Sequence, residues 1–121
     1  MTVSFEKFSV YSKSLDFTID IFNLLENENL KVEYAIKEQL KRATLSISNN
    51  IAEGSEYGNN RQFIRFLWIA KGSTAEVRNM LNILFKLNKI KSNDFELLYH
   101  KCLKISIEIY HFIKYLEKNI K

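Results

Sequence analysis

The chain has 121 residues, 46% apolar and 26% charged, with no proline, three glycines, one cysteine and a net charge of +4. That balance excludes a disordered chain, and a single cysteine excludes an internal disulfide. A chain of this length can bury a core as one domain without a metal or a disulfide staple.

Apolar residues recur at spacings of three and four throughout, the period of a helix. The spacing predicts a first helix over 8–26, with Tyr11, Leu15, Ile19, Phe22 and Leu25 as its core stripe. The run Glu26-Asn27-Glu28-Asn29 has no apolar residue and reads as a loop. A second helix is predicted over 33–57, with Ile36, Leu40, Ala43, Ile47 and Ile51 inward and Gly58 as a natural terminator. Asn59 or Asn60 can cap a third helix over 60–90. Its seam is heptad-like: Phe63, Leu67, Ala70, Thr74, Val77, Leu81, Leu84 and Asn88. Asn93 and Glu96 have capping-box spacing. They open a fourth helix over 93–120 that turns Phe95, Leu98, Cys102, Ile105, Ile109, Phe112 and Leu116 inward. No period-two run suggests a strand. The predicted fold is all-α, an antiparallel up-and-down four-helix bundle formed by residues 1–121 as one domain.

The apolar surface exceeds what one bundle seam needs. A second row on the third helix holds Phe66, Ile69, Met80, Ile83 and Leu87, and the fourth helix adds Tyr99, Leu103, Ile107 and Tyr110. Arcs this wide in a small protein predict contact with another chain, here a homo-oligomer.

Charge is segregated. Residues 1–30 hold two Lys against five acids, whereas residues 59–91 hold seven Lys/Arg against Glu76 alone. Such a stripe can meet RNA or DNA, an acidic partner protein, or the acids Asp16, Asp20, Glu26 and Glu28 of the first segment; the plainest reading is a solvated face. Arg61, Arg65, Lys71 and Arg78 supply cations for phosphates, and Trp68 can stack on a base or anchor a subunit contact. No run reaches the roughly 20 apolar residues of a membrane span. The first ten residues carry Glu6 and Lys7 where a leader would be apolar. With one free thiol, the expected location is cytoplasmic and no membrane partner is expected.

A polar row flanks the second helix's core stripe: Gln39, Arg42, Ser46, Asn50 and Glu53. Ser73 and Glu76 lie on the third helix. Glu76 in an apolar neighbourhood needs a partner, and the Arg42 fork suits it. The row reads as a buried network that fixes helix register, with a catalytic site as the competing reading. Gly72-Ser73 adds a place for close backbone approach or a slight bend.

Other chemistry finds little support. Glu108 and His111 have Glu-x-x-His spacing, but a di-metal site needs that motif twice, and His111 points away from the core. Cys102 lies on the core stripe, as an inert thiol would. No cofactor, no metal and no enzymatic activity is expected.

At the polar row the sequence resembles a known bacterial family. The residues are Gln39-Leu40-Lys41-Arg42-Ala43, Ser46-Ile47, Asn50-Ile51-Ala52-Glu53-Gly54, and further on Phe66-Leu67, Ala70-Lys71-Gly72-Ser73 and Glu76. They are similar to the signature of proteins encoded in intervening sequences of large-subunit ribosomal RNA genes. Relatives include the accessory variability determinant of diversity-generating retroelements. Asn49 departs from the small residue or proline common at its position. The resemblance implies a four-helix bundle assembled as a ring-like homopentamer with no established enzymatic activity. Retroelement relatives bind nucleic acid and a reverse transcriptase through a basic surface.

Overall fold

The computed structural model describes residues 4–27 and 29–120; Glu28 and its predicted loop role lie outside them. The described residues form four helices and no strand: α1 (Ser9–Glu26), α2 (Tyr34–Ser55), α3 (Asn60–Lys86) and α4 (Ser92–Glu117), preceded by a 3-10 turn at Phe5–Lys7. No helix among them is long and apolar enough to cross a membrane.

The helices surround one core in chain order. α3 packs most extensively, against α2 on one side and α4 on the other, and α1 closes the square by touching α2 and α4. The diagonal pairs α1/α3 and α2/α4 do not pack directly among the described residues. Contacts between neighbours follow a fixed sense. Lys13 meets Glu108 and Asp20 meets Lys101. Across α2 and α3, Gln39 bonds Glu76 and Ser46 bonds Ser73.

The predicted stripes of α2, α3 and α4 face this core. Leu40, Ile47, Ile51, Leu67, Val77, Leu81, Leu84, Ile105, Ile109 and Ile113 are almost wholly enclosed. Each such aliphatic side chain contributes about 1.5–3 kcal/mol of burial. Aromatic clusters close the two ends. Phe112 makes edge contacts with Phe8 and Phe63 at one end, and Phe85 stacks on Phe95 at 4.4 Å at the other.

α1 departs from expectation. Its buried face is Val10, Ser14, Phe17, Thr18, Ile21 and Leu25. Leu15 and Ile19, predicted for the core, are 44% and 54% exposed. Two hydroxyls take the inward positions because each satisfies itself. Ser14 Oγ donates to the Val10 carbonyl and Thr18 Oγ1 to the Ser14 carbonyl, both at 2.7 Å. A hydroxyl bonded to its own helix can be buried without an orphaned polar group.

The helix ends also refine the sequence reading. Asn59 caps α3 by accepting from the Arg61 and Gln62 amides. α2 stops at Ser55, and Gly58 follows in the turn at φ +63°. Asn88 lies beyond α3 rather than on its seam. It adopts φ 57°, with the Lys89 amide bonded to the Leu84 carbonyl and the Asn88 amide to Phe85, a Schellman ending. The Asn93–Glu96 capping box does not form; α4 starts at Ser92 with no side-chain cap.

Close backbone approach occurs at Gly54, not at Gly72. A Cβ on Gly54 would stand 2.6 Å from Phe66 Cβ and 3.1 Å from Phe63 Cδ1, whereas one on Gly72 would meet nothing within 4 Å. Gly54→Ala should therefore lose up to about 2 kcal/mol: overpacking of about 1–3 kcal/mol offsets or outweighs the helix-propensity gain of roughly 1 kcal/mol. Gly72→Ala should gain about 0.5–1 kcal/mol. Urea unfolding at constant slope reads both, and a stabilised Gly54→Ala would contradict the close approach.

Candidate functional site

The polar row divides into two parts. In the first, Asn50 Nδ2 donates to the Ser46 carbonyl at 2.7 Å and to Ser46 Oγ at 2.9 Å, and Ser73 Oγ reaches Ser46 Oγ at 2.8 Å. Ser73 is buried, while Ser46 and Asn50 are half-buried. This chain of bonds sets the height of α2 against α3. The second part is a single exposed bond from Gln39 Nε2 to Glu76.

The predicted Arg42–Glu76 pair is absent, because Glu76 lies on the outer edge of α3 and Gln39 takes its carboxylate. Arg42 and Glu53 are exposed and make no ion pair among the described residues. Arg42 borders a shallow hollow with Tyr34, Glu38 and Gln39. Of the four residues of the competing catalytic reading, Arg42, Asn50 and Glu53 lie along α2 and Glu76 on α3, and no hydrogen bond or ion pair among the described residues joins any two of them.

The cationic residues of α3 also part company. Arg61 and Arg65 are exposed, and Trp68 is 45% exposed. Lys71 and Arg78 turn toward α4 and are half-buried. Lys71 Nζ donates to Ser106 Oγ at 2.7 Å, and Arg78 Nε donates to the Thr74 carbonyl at 3.3 Å. Burial, and then the nearby Arg78 guanidinium, lower the Lys71 pKa from its ordinary value. Lys71 therefore bridges α3 to α4, and Arg78 folds back along its own helix. The helical wheel gives their direction but not the depth of the α3/α4 groove.

Cys102 lies beside them, fully buried, with Sγ 3.4 Å from the Thr74 carbonyl. Burial pushes its thiol pKa up to about 12, against a smaller opposing effect of Arg78. The thiolate that a nucleophile needs is thereby suppressed at neutral pH.

Two residues of α4 join the outward face and were missed as site residues. The Tyr110 ring meets the Trp68 edge at a centroid distance of 6.5 Å. Lys71 Nζ stands 5.9 Å and Lys114 Nζ 5.3 Å from the Tyr110 centroid. Lys114 also pairs with Glu117, which raises its pKa. Trp68, Tyr110, Lys114, Arg65 and Arg61 thus form one aromatic and cationic surface across α3 and α4. Sequence alone marks Tyr110 only as surplus apolar surface.

A hollow of about 570 Å³ opens at one end of the fold beside Phe8, Phe63 and Phe112. Three of its polar side chains are engaged locally: Asn59 caps α3, Ser55 bonds the Ala52 carbonyl and Asn119 bonds the Tyr115 carbonyl. His111 is exposed, and Glu108 pairs with Lys13 at 3.4 Å. Among the described residues no three His, Cys, Asp or Glu side chains gather as a metal site would require.

These features define an all-α, four-helix protein with a small register-setting polar network and an open aromatic–cationic face. Residues 6–117 match the 23S rRNA-intervening sequence protein family, and the chain belongs to that family. It is also similar to the crystal structure of a protein with unknown function from the S23 ribosomal protein family of Bacteroides thetaiotaomicron. The two are 29% identical with a TM-score of 0.81, over 87% of this chain and 98% of that one. No curated protein matches the chain.

The divided row makes a specific prediction. Glu76→Gln should change stability by less than about 0.5 kcal/mol, as exposed polar changes do. Ser73→Ala should lose about 1 kcal/mol, the net worth of a buried hydrogen bond. The reverse order in chemical denaturation would restore Glu76 as the structural partner.

Proposed function

We propose that this protein is a non-enzymatic, cytoplasmic scaffold. It is an antiparallel up-and-down bundle that assembles as a ring-like homopentamer and binds structured RNA or DNA through the α3/α4 face. The observation that carries the reading is the exposed Trp68–Tyr110 pair bordered by Arg61, Arg65 and Lys114. Aromatic faces accept bases of any sequence and the cations take phosphates. The only acid on α3, Glu76, turns toward α2, where it bonds Gln39. Repetition around a ring would multiply weak contacts by avidity. The retroelement relatives of the family that residues 39–54 resemble motivate the nucleic-acid reading. Exposed Ile69, Ile83, Leu87 and Ile107 motivate the assembly.

Binding to an RNA hairpin or a DNA duplex, followed by fluorescence anisotropy, should be detectable at about 50 mM salt and tolerant of sequence. Raising salt to about 200 mM should weaken it roughly tenfold for every two phosphates neutralised. Changing Arg61 and Arg65 to Glu, with Trp68→Ala, should abolish it while helicity stays intact. Absence of wild-type binding at the lower salt would remove the nucleic-acid role. The same face would then serve an acidic protein partner, and the molecule would be an adaptor.

A further inference from the structure

Arg61, Arg65, Trp68 and Gly72 follow one another along α3 at spacings of four, three and four, so they share one face. All four are exposed, and Ala75 and Asn79 extend the row and are exposed too. The row passes from two cations to one large ring and then to a stretch with almost no side chain. Gly72 calls for a reason. Glycine inside a helix is less favourable than alanine, because it surrenders the most backbone freedom. At Gly54 the nearness of Phe66 supplies the reason. At Gly72 the chain supplies none, since a Cβ there would meet nothing within 4 Å. Helical side chains lean toward the N-terminus, so the indole leans away from Gly72 and leaves the space above it open.

Phe85 stacks on Phe95 and Tyr57 on Phe66. The indole of Trp68 has no such partner. Its one aromatic neighbour among the described residues, Tyr110, stands at 72° to it in an edge contact. No ring lies flat on the indole, so ring surface stays open beside a bare stretch of helix. Charge selects what lies there. Arg61 and Arg65 make no ion pair among the described residues. Glu76, the only acid of α3, turns toward α2, and Glu117 of α4 is held by Lys114. The ligand that fits is a planar ring carried on an anionic chain.

A duplex does not offer that ring. α3 is flanked by α2 and α4, so the surface around Trp68 is two helix diameters, roughly 20 Å, across. A DNA major groove about 12 Å wide admits one helix, and that of duplex RNA is too narrow for side chains to read. The bases of a loop or a single strand are unpaired and can lie flat on an aromatic ring. We infer that Trp68 and the bare stretch at Gly72 and Ala75 bind an unpaired nucleotide. Its base lies on the indole above Gly72, and the adjoining phosphates reach Arg65 and Arg61. This rests on the nucleic-acid reading above and names the part of the nucleic acid that the face takes.

Two labelled RNA hairpins test it, one with a loop of uridines and one with the same loop made abasic. They carry the same phosphates and differ only in the unpaired bases. By fluorescence anisotropy at about 50 mM salt, the wild-type protein should bind the uridine loop about tenfold more tightly, the effect of one stacked base. The uridine loop alone should quench the emission of Trp68. Gly72→Leu fills the space above the helix with a side chain that favours helix. It should bring the uridine hairpin down to the affinity of the abasic one, with helicity intact by circular dichroism. Equal wild-type affinity for the two hairpins, or a loop preference that survives Gly72→Leu, would overturn the inference and leave phosphate binding by the basic face standing. A Gly72→Leu protein of lower mass than the wild type in light scattering would make this space a subunit contact and overturn it too. Absence of binding to either hairpin would defeat the nucleic-acid reading itself, and the inference with it.

Discussion

The close approach of α2 and α3 is the constraint on which the rest of the molecule depends. Gly54 lets the α2 backbone come against Phe66 and Phe63, and Ala43 and Ala70 keep the seam narrow. The Ser46–Ser73 bond then fixes how far one helix slides along the other. Once α2 and α3 are locked, α3 presents its other side to α4, where Thr74, Lys71 and Ser106 make a second polar seam. α1 packs less extensively on its neighbours and carries two hydroxyls in its buried face. This order of dependence makes the α2/α3 seam the part least tolerant of added volume.

Much of this was legible in the sequence, for a physical reason. In α2, α3 and α4 the large aliphatic side chains Leu40, Ile47, Ile51, Leu67, Val77, Leu81, Leu84, Ile105 and Ile109 all lie on one stripe of their helix, so one register buries them together, and the small residues Thr44, Ser48, Ser73, Thr74 and Ser106 fill in between. α1 offers two stripes. Tyr11, Leu15, Ile19, Phe22 and Leu25 are as periodic as the stripe actually buried, and hydropathy favours them. Ser14 and Thr18 win because they satisfy their own hydroxyls and let Phe17 and Ile21 fill the core. The Arg42–Glu76 expectation fails differently. A wheel shows that two residues lie on facing edges, but not their relative height or which neighbour is nearer. Gln39 is nearer. Lys71 and Tyr110 show the same limit, since a cation on a basic helix and a tyrosine on the next come together only through packing.

The surface then divides by chemistry. Around α2, the exposed aliphatic side chains Leu15 and Ile19 of α1, Leu45 of α2, and Ile69 and Ile83 of α3 stand among polar residues, and such side chains gain most from exclusion of water. Around the α3/α4 groove they are aromatic and cationic, with Trp68, Tyr110 and Lys114 in one cluster. On the proposal made here the aliphatic sides build the assembly, and the aromatic–cationic side meets the partner. The signature residues of the family belong largely to the first task. Ser46, Gly54 and Ser73 place α2 against α3, so kinship through them speaks for architecture more strongly than for ligand.

Trp68 is the only tryptophan, which makes this division directly measurable. Quenching of its fluorescence by neutral acrylamide in the assembled protein reports whether the α3/α4 face is open. The account predicts efficient quenching in the assembly, undiminished on dilution and relieved when a structured RNA or DNA is added. Strong protection in the assembly, lost only when the subunits dissociate, would put Trp68 inside the subunit contact and contradict the account.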